Sequence, residues 1–336
     1  MNVLYIASDQ KRAGKTAIAA SIVTLLVRLN KSVGYLKLFS DTANEDADTD
    51  FIYGQILGNA SAALLPACSK QSSFDEVRVN IQQRMEVLAK QNDVVVVEGP
   101  SLMEPRRDGI DHAVKLIELL NAKVLVVIHN DPTTDSEQIQ ELGTAFGNTL
   151  HGIIFNSVTK WKTRELMKDF IPSLEARGVR VIGGVPEDRL LLTPTVGQLA
   201  AYLKADWIRG EDKASDLVEH FIIGGNIMDS GVDYFGRVTS KAVIVRGDRP
   251  DIQLAALATP TTCLVLTGGH MPIEYVGYEA EQRDVPVIVV QDGTLDVGEA
   301  LGGIQCEATV HHPKKVDRFL DLLQAHTDVD AISSGL

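Results

Sequence analysis

The fold class of this chain is indicated by its first residues, Asn2-Val-Leu-Tyr-Ile-Ala-Ser-Asp-Gln-Lys-Arg-Ala-Gly-Lys-Thr16. This stretch joins an apolar run with the pattern of a buried strand to a polar turn that ends in Gly14-Lys15-Thr16, and a helical pattern follows over 17–30. This arrangement is typical of a phosphate-binding loop, in which the unpaired N–H groups and positive dipole of a helix N-terminus face a polyphosphate. Lys15 then reaches the terminal phosphates, and Thr16 offers its hydroxyl to Mg²⁺. The stretch therefore predicts a nucleotide site at the start of the chain.

The loop departs from the standard spacing at one position. Asp9 lies five residues before Gly14, where that spacing has a glycine. The alternative is an ordinary strand-to-helix turn, with Gly14 at the helix start and Lys15 as a surface charge. Whether the stretch is a phosphate-binding loop or an ordinary turn depends on the motifs elsewhere in the chain. We keep Asp9 among the candidate cofactor-binding residues.

Short apolar runs alternate with helical patterns along the first part of the chain. Strands that are apolar on both faces belong in a parallel sheet covered by helices. The predicted strands are 2–7, 32–39, 93–98, 123–128, 152–156 and 179–184, and the predicted helices are 17–30, 47–58, 74–91, 110–120, 135–147 and 162–177. This order predicts a doubly wound α/β domain with a parallel sheet.

A second, smaller α/β domain is predicted after a polar stretch that begins at Asp206. Its expected strands are 242–246, 262–266, 287–291 and 308–311, and its expected helices are 250–258, 272–283, 294–302 and 313–325. We divide the chain into a nucleotide-binding domain, a linker, a second domain and a frayed tail, with the boundaries 1–205, 206–218, 219–327 and 328–336.

The amino-acid composition limits the classes of partner and the cellular location that we expect. The 336 residues carry a net charge of −13, which disfavours nucleic acid and acidic membranes as partners. Cys68, Cys263 and Cys306 lack metal-ligand spacing and are expected as reduced thiols in a cytoplasmic protein. We find no signal-peptide pattern and no apolar run near the ~20 residues of a membrane helix. The histidines show no zinc spacing and are expected in surface or capping roles.

Three charged positions are candidates for the chemistry beside the loop. Glu98 ends the apolar run 93–97, where a carboxylate faces Mg²⁺ at the edge that holds the phosphate loop; the alternative is a solvated strand end. Lys37 ends another apolar run and is expected to neutralise a phosphoryl group or hold a carboxylate, unless it is simply exposed. Asp48 is the favoured second source of a metal oxygen in the acidic run 45–50, which is otherwise a solvated helix start.

Candidate base-binding residues follow two later strands. Asn156 ends the run 152–156 and carries an amide that can pair with an adenine edge, although such residues also simply turn the chain. Pro186 and Glu187 lie in the next strand-end loop, which is placed to close over the base.

These motifs together resemble the dethiobiotin synthetase-like P-loop family, in which the loop also departs from standard spacing. The resemblance implies that Lys15 and Thr16 bind phosphates and Mg²⁺, that Glu98 and Asp48 lie at the metal, and that Asn156 lies at adenine. Lys37 would then lie on the substrate side, and homo-oligomerisation is expected. The C-terminal part resembles a DRTGG domain, through Asp248-Arg249 after one strand and Thr267-Gly268-Gly269 after the next. The alternative for these two stretches is ordinary turns.

The pairing of the two domains resembles the N-terminal region of long phosphate acetyltransferases and free-standing phosphotransacetylase-like proteins. We expect no acetyl transfer, because the acetyltransferase domain would need roughly 300 further residues. Lys37 is followed by Leu-Phe and Glu98-Gly by Pro-Ser-Leu, so the substrate side departs from the synthetase pattern while the phosphate side keeps it. Three functions stay open: an ATP·Mg²⁺-binding regulator whose DRTGG domain is a ligand or partner sensor, an ATP-dependent ligase acting on a small carboxylate or carbamate, and an interaction module with a vestigial site.

Overall fold

The computed structural model describes residues 1–40, 46–58, 68–69, 74–102, 108–131, 134–225 and 231–334. The chain divides into two compact units. The first comprises residues 1–188 and 310–336, and the second comprises residues 189–309.

The first unit is built on a six-stranded parallel sheet. Its strands, in their order across the sheet, are Val33–Lys37, Val94–Ser101, Asn2–Ser8, Lys123–His129, Leu150–Val158 and Val181–Pro186. The strands form here because β-branched and aliphatic residues line both faces and are almost completely buried, as in the run Val94–Val97. All six predicted strands are present, and the predicted fold class is confirmed.

Helices and two short strands complete the first unit. The strand Asn2–Ser8 lies in the middle of the sheet and leads into the helix Lys15–Arg28, so the loop between them lies at the carboxyl edge of the sheet. Two short strands, Phe39–Ser40 and Cys68–Ser69, pair with each other. The other helical segments are Ala47–Phe51, which continues as the π-helical Ile52–Leu57, then Phe74–Ala89, Asp108–Leu120, Ser136–Phe146 with Gly147–Thr149, Thr163–Glu165 continued by Leu166–Phe170 and Ile171–Glu175, Pro313–His326, and Val329–Ser333.

The C-terminal helix Pro313–His326 belongs to the first unit. It packs against the helix Lys15–Arg28 and the strand Val181–Pro186, and Arg318 donates to the Asp188 carboxylate at 2.9 and 2.7 Å. This division differs from the predicted boundary at 327. The amphipathic pattern predicts the helix itself, but a periodicity does not say which unit receives its apolar face.

The second unit contains a five-stranded mixed sheet. Its order is His220–Gly224, Lys241–Arg246, Thr261–Thr267, Val287–Val289 and Asp206–Arg209, and only the last strand is antiparallel. Its helical segments are Arg189–Leu192, Val196–Tyr202, Glu211–Lys213, Gly231–Phe235, Pro250–Leu257, Glu274–Gln282, Thr294–Ala300 and Leu301–Glu307.

Three expectations for this unit differ from the structure. The predicted linker 206–218 contains the edge strand Asp206–Arg209, and the strand His220–Gly224 was not predicted. Residues 308–311 do not form the predicted strand, because they follow the 3₁₀ helix Leu301–Glu307 and lead directly to the cap of the next helix. Polar and short segments pair here with a neighbouring strand edge, which local pattern does not reveal.

No helix within the described ranges is long and apolar enough to cross a lipid bilayer.

Candidate nucleotide-binding site

The loop that opens the chain is held by a close contact with a neighbouring strand end. Gly14 has φ +95°, and a Cβ at this position would lie 2.2 Å from Nδ2 of Asn156. That amide is buried and donates to the Ala13 carbonyl at 2.8 Å. Glycine is therefore required at position 14, and Asn156 supports the loop. Its contact with adenine stays a prediction.

Asp9 fixes the other end of the loop. Its carboxylate accepts the backbone N–H of Gln10 at 2.7 Å and that of His129 at 3.2 Å. Burial raises the pKa of Asp9, and these two N–H donors oppose the rise. The acid at the expected glycine position thus ties the loop to the adjacent strand Lys123–His129.

Lys15 and the helix start face the same edge. Among the described residues no side chain caps the helix Lys15–Arg28, so its first N–H groups are available to an anion. The Lys15 ammonium donates to the Ser8 hydroxyl at 2.8 Å. Burial lowers the pKa of Lys15, although the charges of Glu98 and Asp9 partly oppose this. A phosphate would satisfy a cation that is largely removed from water.

Three oxygen-bearing side chains meet beside Lys15. The Thr16 hydroxyl lies 3.0 Å from Oε1 of Glu98 and 3.4 Å from Oδ2 of Asp48. Oε2 of Glu98 accepts the Tyr35 hydroxyl at 2.8 Å. Burial raises the pKa of Glu98, and the neighbouring charge of Asp48 raises it further. The buried carboxylate of Glu98, the half-buried carboxylate of Asp48 and the hydroxyl of Thr16 are hard oxygen donors, which is the set that Mg²⁺ prefers. In the part of the chain that the structure describes, no cluster of three His, Cys, Asp or Glu offers an alternative metal site.

Lys37 is paired with acidic side chains. Its ammonium lies 2.7 Å from Oδ1 of Asp46 and also contacts Asp48. Burial alone would lower the pKa of Lys37, but the charge of Asp48 and the bonds to both carboxylates outweigh burial and raise it. The predicted substrate lysine is therefore neutralised within the described site.

His311 reaches the same carboxylate from the far end of the chain. Its Nε2 lies 2.6 Å from Oδ1 of Asp48, and its ring lies 5.2 Å from the ring of Phe51. Burial would raise the pKa of Asp48, but His311 and Lys37 together lower it to about 2. The expectation of a surface or capping role is wrong for His311. It holds for His312, whose Nδ1 accepts the Lys314 N–H at 3.1 Å.

Pro186 and Glu187 lie at the end of the strand beside Leu150–Val158. Pro186 is the last residue of its strand, and the Glu187 N–H donates to the Val158 carbonyl at 3.0 Å. They share the carboxyl edge of the sheet with Asn156, and their contact with a base stays a prediction.

Two strand ends of the second unit carry the other predicted residues. Gly268 and Gly269 have φ values of +84° and +70°, and the Thr267 hydroxyl lies 2.7 Å from that of Thr294. Asp248 is bound by Arg246, and Arg249 binds Asp251 at 2.8 Å. The two turns lie at the carboxyl ends of adjacent strands, while the charged side chains are paired locally.

Tyr35, Ser8 and His311 belong to the first site, and the sequence analysis did not identify them. Tyr35 and Ser8 lie on strands, where their polar atoms are not distinguishable from ordinary strand residues. His311 follows the second unit, so that only the fold places it beside Asp48.

Comparison with known proteins identifies the two domains. The family model AAA_26, an AAA domain, matches residues 2–195, which is more than half of the chain. The chain belongs to the AAA_26 family. A DRTGG domain model matches residues 198–304. The predicted resemblance to a P-loop domain followed by a DRTGG domain is thus confirmed, and the AAA_26 match implies nucleotide binding.

Three curated relatives of this AAA_26 chain are phosphate acetyltransferases. That of Nitratidesulfovibrio vulgaris is 23% identical over 371 residues, covering 100% of this chain and 52% of the relative. The enzyme of Synechocystis is 22% identical, and the match covers 76% of this chain and 39% of the relative. The enzyme of Haemophilus influenzae is 19% identical, and the match covers 96% of this chain and 51% of the relative. The chain spans about half the length of the curated relatives it matches.

Solved structures give weaker similarities. The CBS and DRTGG domains of a Clostridium perfringens pyrophosphatase are 13% identical and cover 46% of this chain and 74% of that one, with a TM-score of 0.31. The Aquifex aeolicus MinD protein is 18% identical and covers 57% and 84%, with a TM-score of 0.38. These TM-scores are too low for a functional comparison.

Proposed function

We propose that the first unit binds ATP together with Mg²⁺ and that the protein is a nucleotide-responsive regulator whose DRTGG domain senses a ligand or partner. The observation that carries this proposal is the Thr16 hydroxyl, which lies within hydrogen-bond distance of both Glu98 and Asp48 and directly follows Lys15. Thr16, Asp48 and Glu98 would hold the Mg²⁺ ion, which when bound neutralises charge on the phosphate oxygens.

The electrostatics of the loop support a phosphate ligand. The loop presents an uncapped helix N-terminus and the buried Lys15 cation, whose pKa is lowered by burial. An anion placed there recovers the free energy lost on removing the lysine from water. Burial likewise raises the pKa of Glu98, so a cation bound to its carboxylate would recover the free energy lost on removing that charge from water.

Lys37 supports binding over ligation. In a ligase of the dethiobiotin synthetase type, Lys37 would face the substrate carboxylate or carbamate. Here its charge is committed to Asp46 and Asp48. Ligase activity would require Lys37 to leave both partners. Metabolite-dependent ADP release that is lost in Lys37→Ala would favour the ligase over the regulator.

The remaining expectations are proposals of lesser weight. The turn Thr267-Gly268-Gly269 and the neighbouring Asp248 and Arg249 are the candidate sensor site of the second unit. Acetyl transfer is not proposed, since the chain spans 52%, 39% and 51% of the three acetyltransferases. Pairing of two copies stays a prediction that light scattering tests directly.

Calorimetry tests the proposal. The full chain should bind ATP in millimolar Mg²⁺, and Lys15→Ala should weaken binding about 10- to 100-fold, the effect of losing a charged hydrogen bond. Lys168→Ala, which removes an exposed lysine, is the matched control. Absence of ATP binding by the unmodified chain, or unchanged binding by Lys15→Ala, would contradict the proposal and favour a vestigial site.

A further inference from the structure

His311 enters the site from an unexpected part of the chain. The second unit ends at residue 309, and His311 follows two residues later within the first unit. Its Nε2 lies 2.6 Å from Oδ1 of Asp48, a residue 263 positions earlier. Because the Asp48 carboxylate is ionised, Nε2 must carry the proton and donate it.

The two oxygens of Asp48 have different partners. Oδ1 accepts from His311, whereas Oδ2 contacts Lys37 and lies 3.4 Å from the Thr16 hydroxyl. A carboxylate whose first oxygen is held by a hydrogen bond cannot rotate freely, so the direction of its second oxygen is fixed as well. The bond from His311 therefore directs Oδ2 toward Thr16.

The side chain of His311 is itself held in place. Its ring packs on Phe51, which ends the helix Ala47–Phe51 that carries Asp48. One residue after His311, His312 caps the helix Pro313–His326. That helix is anchored by the pair Arg318–Asp188 and by packing against the helix that begins at Lys15. The imidazole is thus positioned by both its ring contact and its backbone.

We propose that His311 is a positioning residue for the magnesium-binding carboxylate of Asp48, contributed by the segment that leads out of the second unit. The proposal rests on the proposed function of the first unit and adds a residue that orients one of its metal-binding groups. Groups that hydrogen-bond a metal-binding carboxylate orient it and tune the affinity for the metal.

Two substitutions separate positioning from simple packing. His311→Phe keeps an aromatic ring on Phe51 but removes the donor to Asp48. His311→Gln removes the ring but keeps an amide that donates. A purely structural role predicts that the ring matters, whereas a positioning role predicts that the donor matters. His326→Phe changes an exposed histidine in the last turn of the C-terminal helix and is the matched control.

The experiment measures ATP binding by calorimetry across a Mg²⁺ titration and again in EDTA, with the full chain and each variant. We expect His311→Phe to bind Mg²⁺ about 10- to 100-fold more weakly in the ATP complex, as for other outer-shell partners of metal ligands. His311→Gln should retain most of the affinity, His326→Phe should match the unmodified chain, and ATP binding in EDTA should be equal in all four proteins.

Other outcomes overturn the proposal. Unmodified Mg²⁺ affinity in His311→Phe would show that the hydrogen bond has no role in metal binding. A larger loss in His311→Gln than in His311→Phe would indicate a packing role, and equal losses in the two variants, or losses that persist in EDTA, would also contradict positioning through the hydrogen bond. If the unmodified chain bound ATP without any response to Mg²⁺, the metal part of the proposed function would be wrong. If it responded to Mg²⁺ and His311→Phe responded equally, only the role of His311 would be wrong.

Discussion

The hydroxyl of Thr16 lies 3.0 Å from Oε1 of Glu98, which joins the start of the first helix to a strand 82 positions later. Glu98 is almost completely buried, and Asp48 is its acidic neighbour. Without a cation, the protein therefore holds a carboxylate whose ionised form is unfavourable in the folded state. At this residue, the proposed binding of Mg²⁺ and the stability of the protein without a metal are opposed.

Replacing Glu98 by glutamine tests this opposition. The pKa of Glu98 is raised in the folded state, so its ionised form lowers stability at pH values above that pKa. In EDTA at neutral pH, Glu98→Gln should raise the Tm by about 2–4 °C, the shift that ~1 kcal/mol causes in units of this size. It should also abolish the additional stabilisation by Mg²⁺ and ATP. Thermal unfolding measures both effects, with the exposed Glu141→Gln as the control. A lower Tm in EDTA would contradict the prediction.

Two buried tyrosines of the first sheet should respond oppositely to loss of their hydroxyls. Within the described ranges the hydroxyl of Tyr5 has no hydrogen-bond partner, whereas that of Tyr35 donates to Glu98 at 2.8 Å. Tyr5→Phe should raise the free energy of unfolding by about 1 kcal/mol, because it removes an unsatisfied polar group, and Tyr35→Phe should lower it by about 1.5–3 kcal/mol. Urea unfolding of the two variants measures this, and a change of the same sign in both would be inconsistent with the described contacts.

The lowered pKa of Asp48 predicts that the stability of the protein depends on pH in the acid range. The pKa of Asp48 is lowered from 3.8 to about 2 in the folded protein, so its contribution is present above pH 4 and is lost as the pH falls toward 2. In EDTA near neutral pH, Asp48→Asn should lose about 2 kcal/mol of unfolding free energy. The difference from the unmodified chain should shrink as the pH falls through this window.

Chemical denaturation at a series of pH values provides the measurement, with the exposed Asp169→Asn as the control for loss of one charge. A difference that stays constant down to the lowest pH would show that the ionised carboxylate is not the source of the stabilisation.

Much of this site can be predicted from the sequence, because several of its residues lie at strand and helix positions whose place in a parallel α/β sheet is known in advance. Lys15 and Thr16 follow a strand and open a helix, and Glu98 lies in the second half of the parallel strand Val94–Ser101, so topology brings them to the same part of the sheet. The pattern of the acidic run favours Asp48 without separating it from its neighbours. The structure places Asp48 in contact with Thr16, and its role at a metal stays a prediction. His311 could not be found this way, because its position depends on the path of the chain through a whole second unit.

The same reasoning explains the fold. Strands that are buried on both faces, such as Val94–Ser101, are visible as continuous apolar runs. The edge strand Asp206–Arg209 is half exposed and polar at both ends, and it pairs with the free edge of Val287–Val289. The helix Pro313–His326 has an evident apolar face, yet nothing local identifies the surface that buries it.

Gly183 tests how the C-terminal segment is held in the first unit. A Cβ at this position, where φ is +152°, would lie 2.4 Å from the His326 carbonyl, and the neighbouring Ile182 carbonyl accepts the Asp328 N–H at 3.0 Å. Gly183→Ala should therefore push the segment off the strand and cost about 2–4 kcal/mol of unfolding free energy, since overpacking and backbone strain act together.

Hydrogen exchange should locate the effect of Gly183→Ala. Amide protection should fall over residues 327–334, while the strand Asn2–Ser8 should remain protected. Gly54→Ala is the control, because a Cβ there meets open space, and alanine in a helix is expected to be neutral or to stabilise by up to about 1 kcal/mol. If the exchange at 327–334 is unchanged, the contact at Gly183 does not hold this segment. The packing of the helix Pro313–His326 against the helix Lys15–Arg28 would then be enough to keep the segment in the first unit.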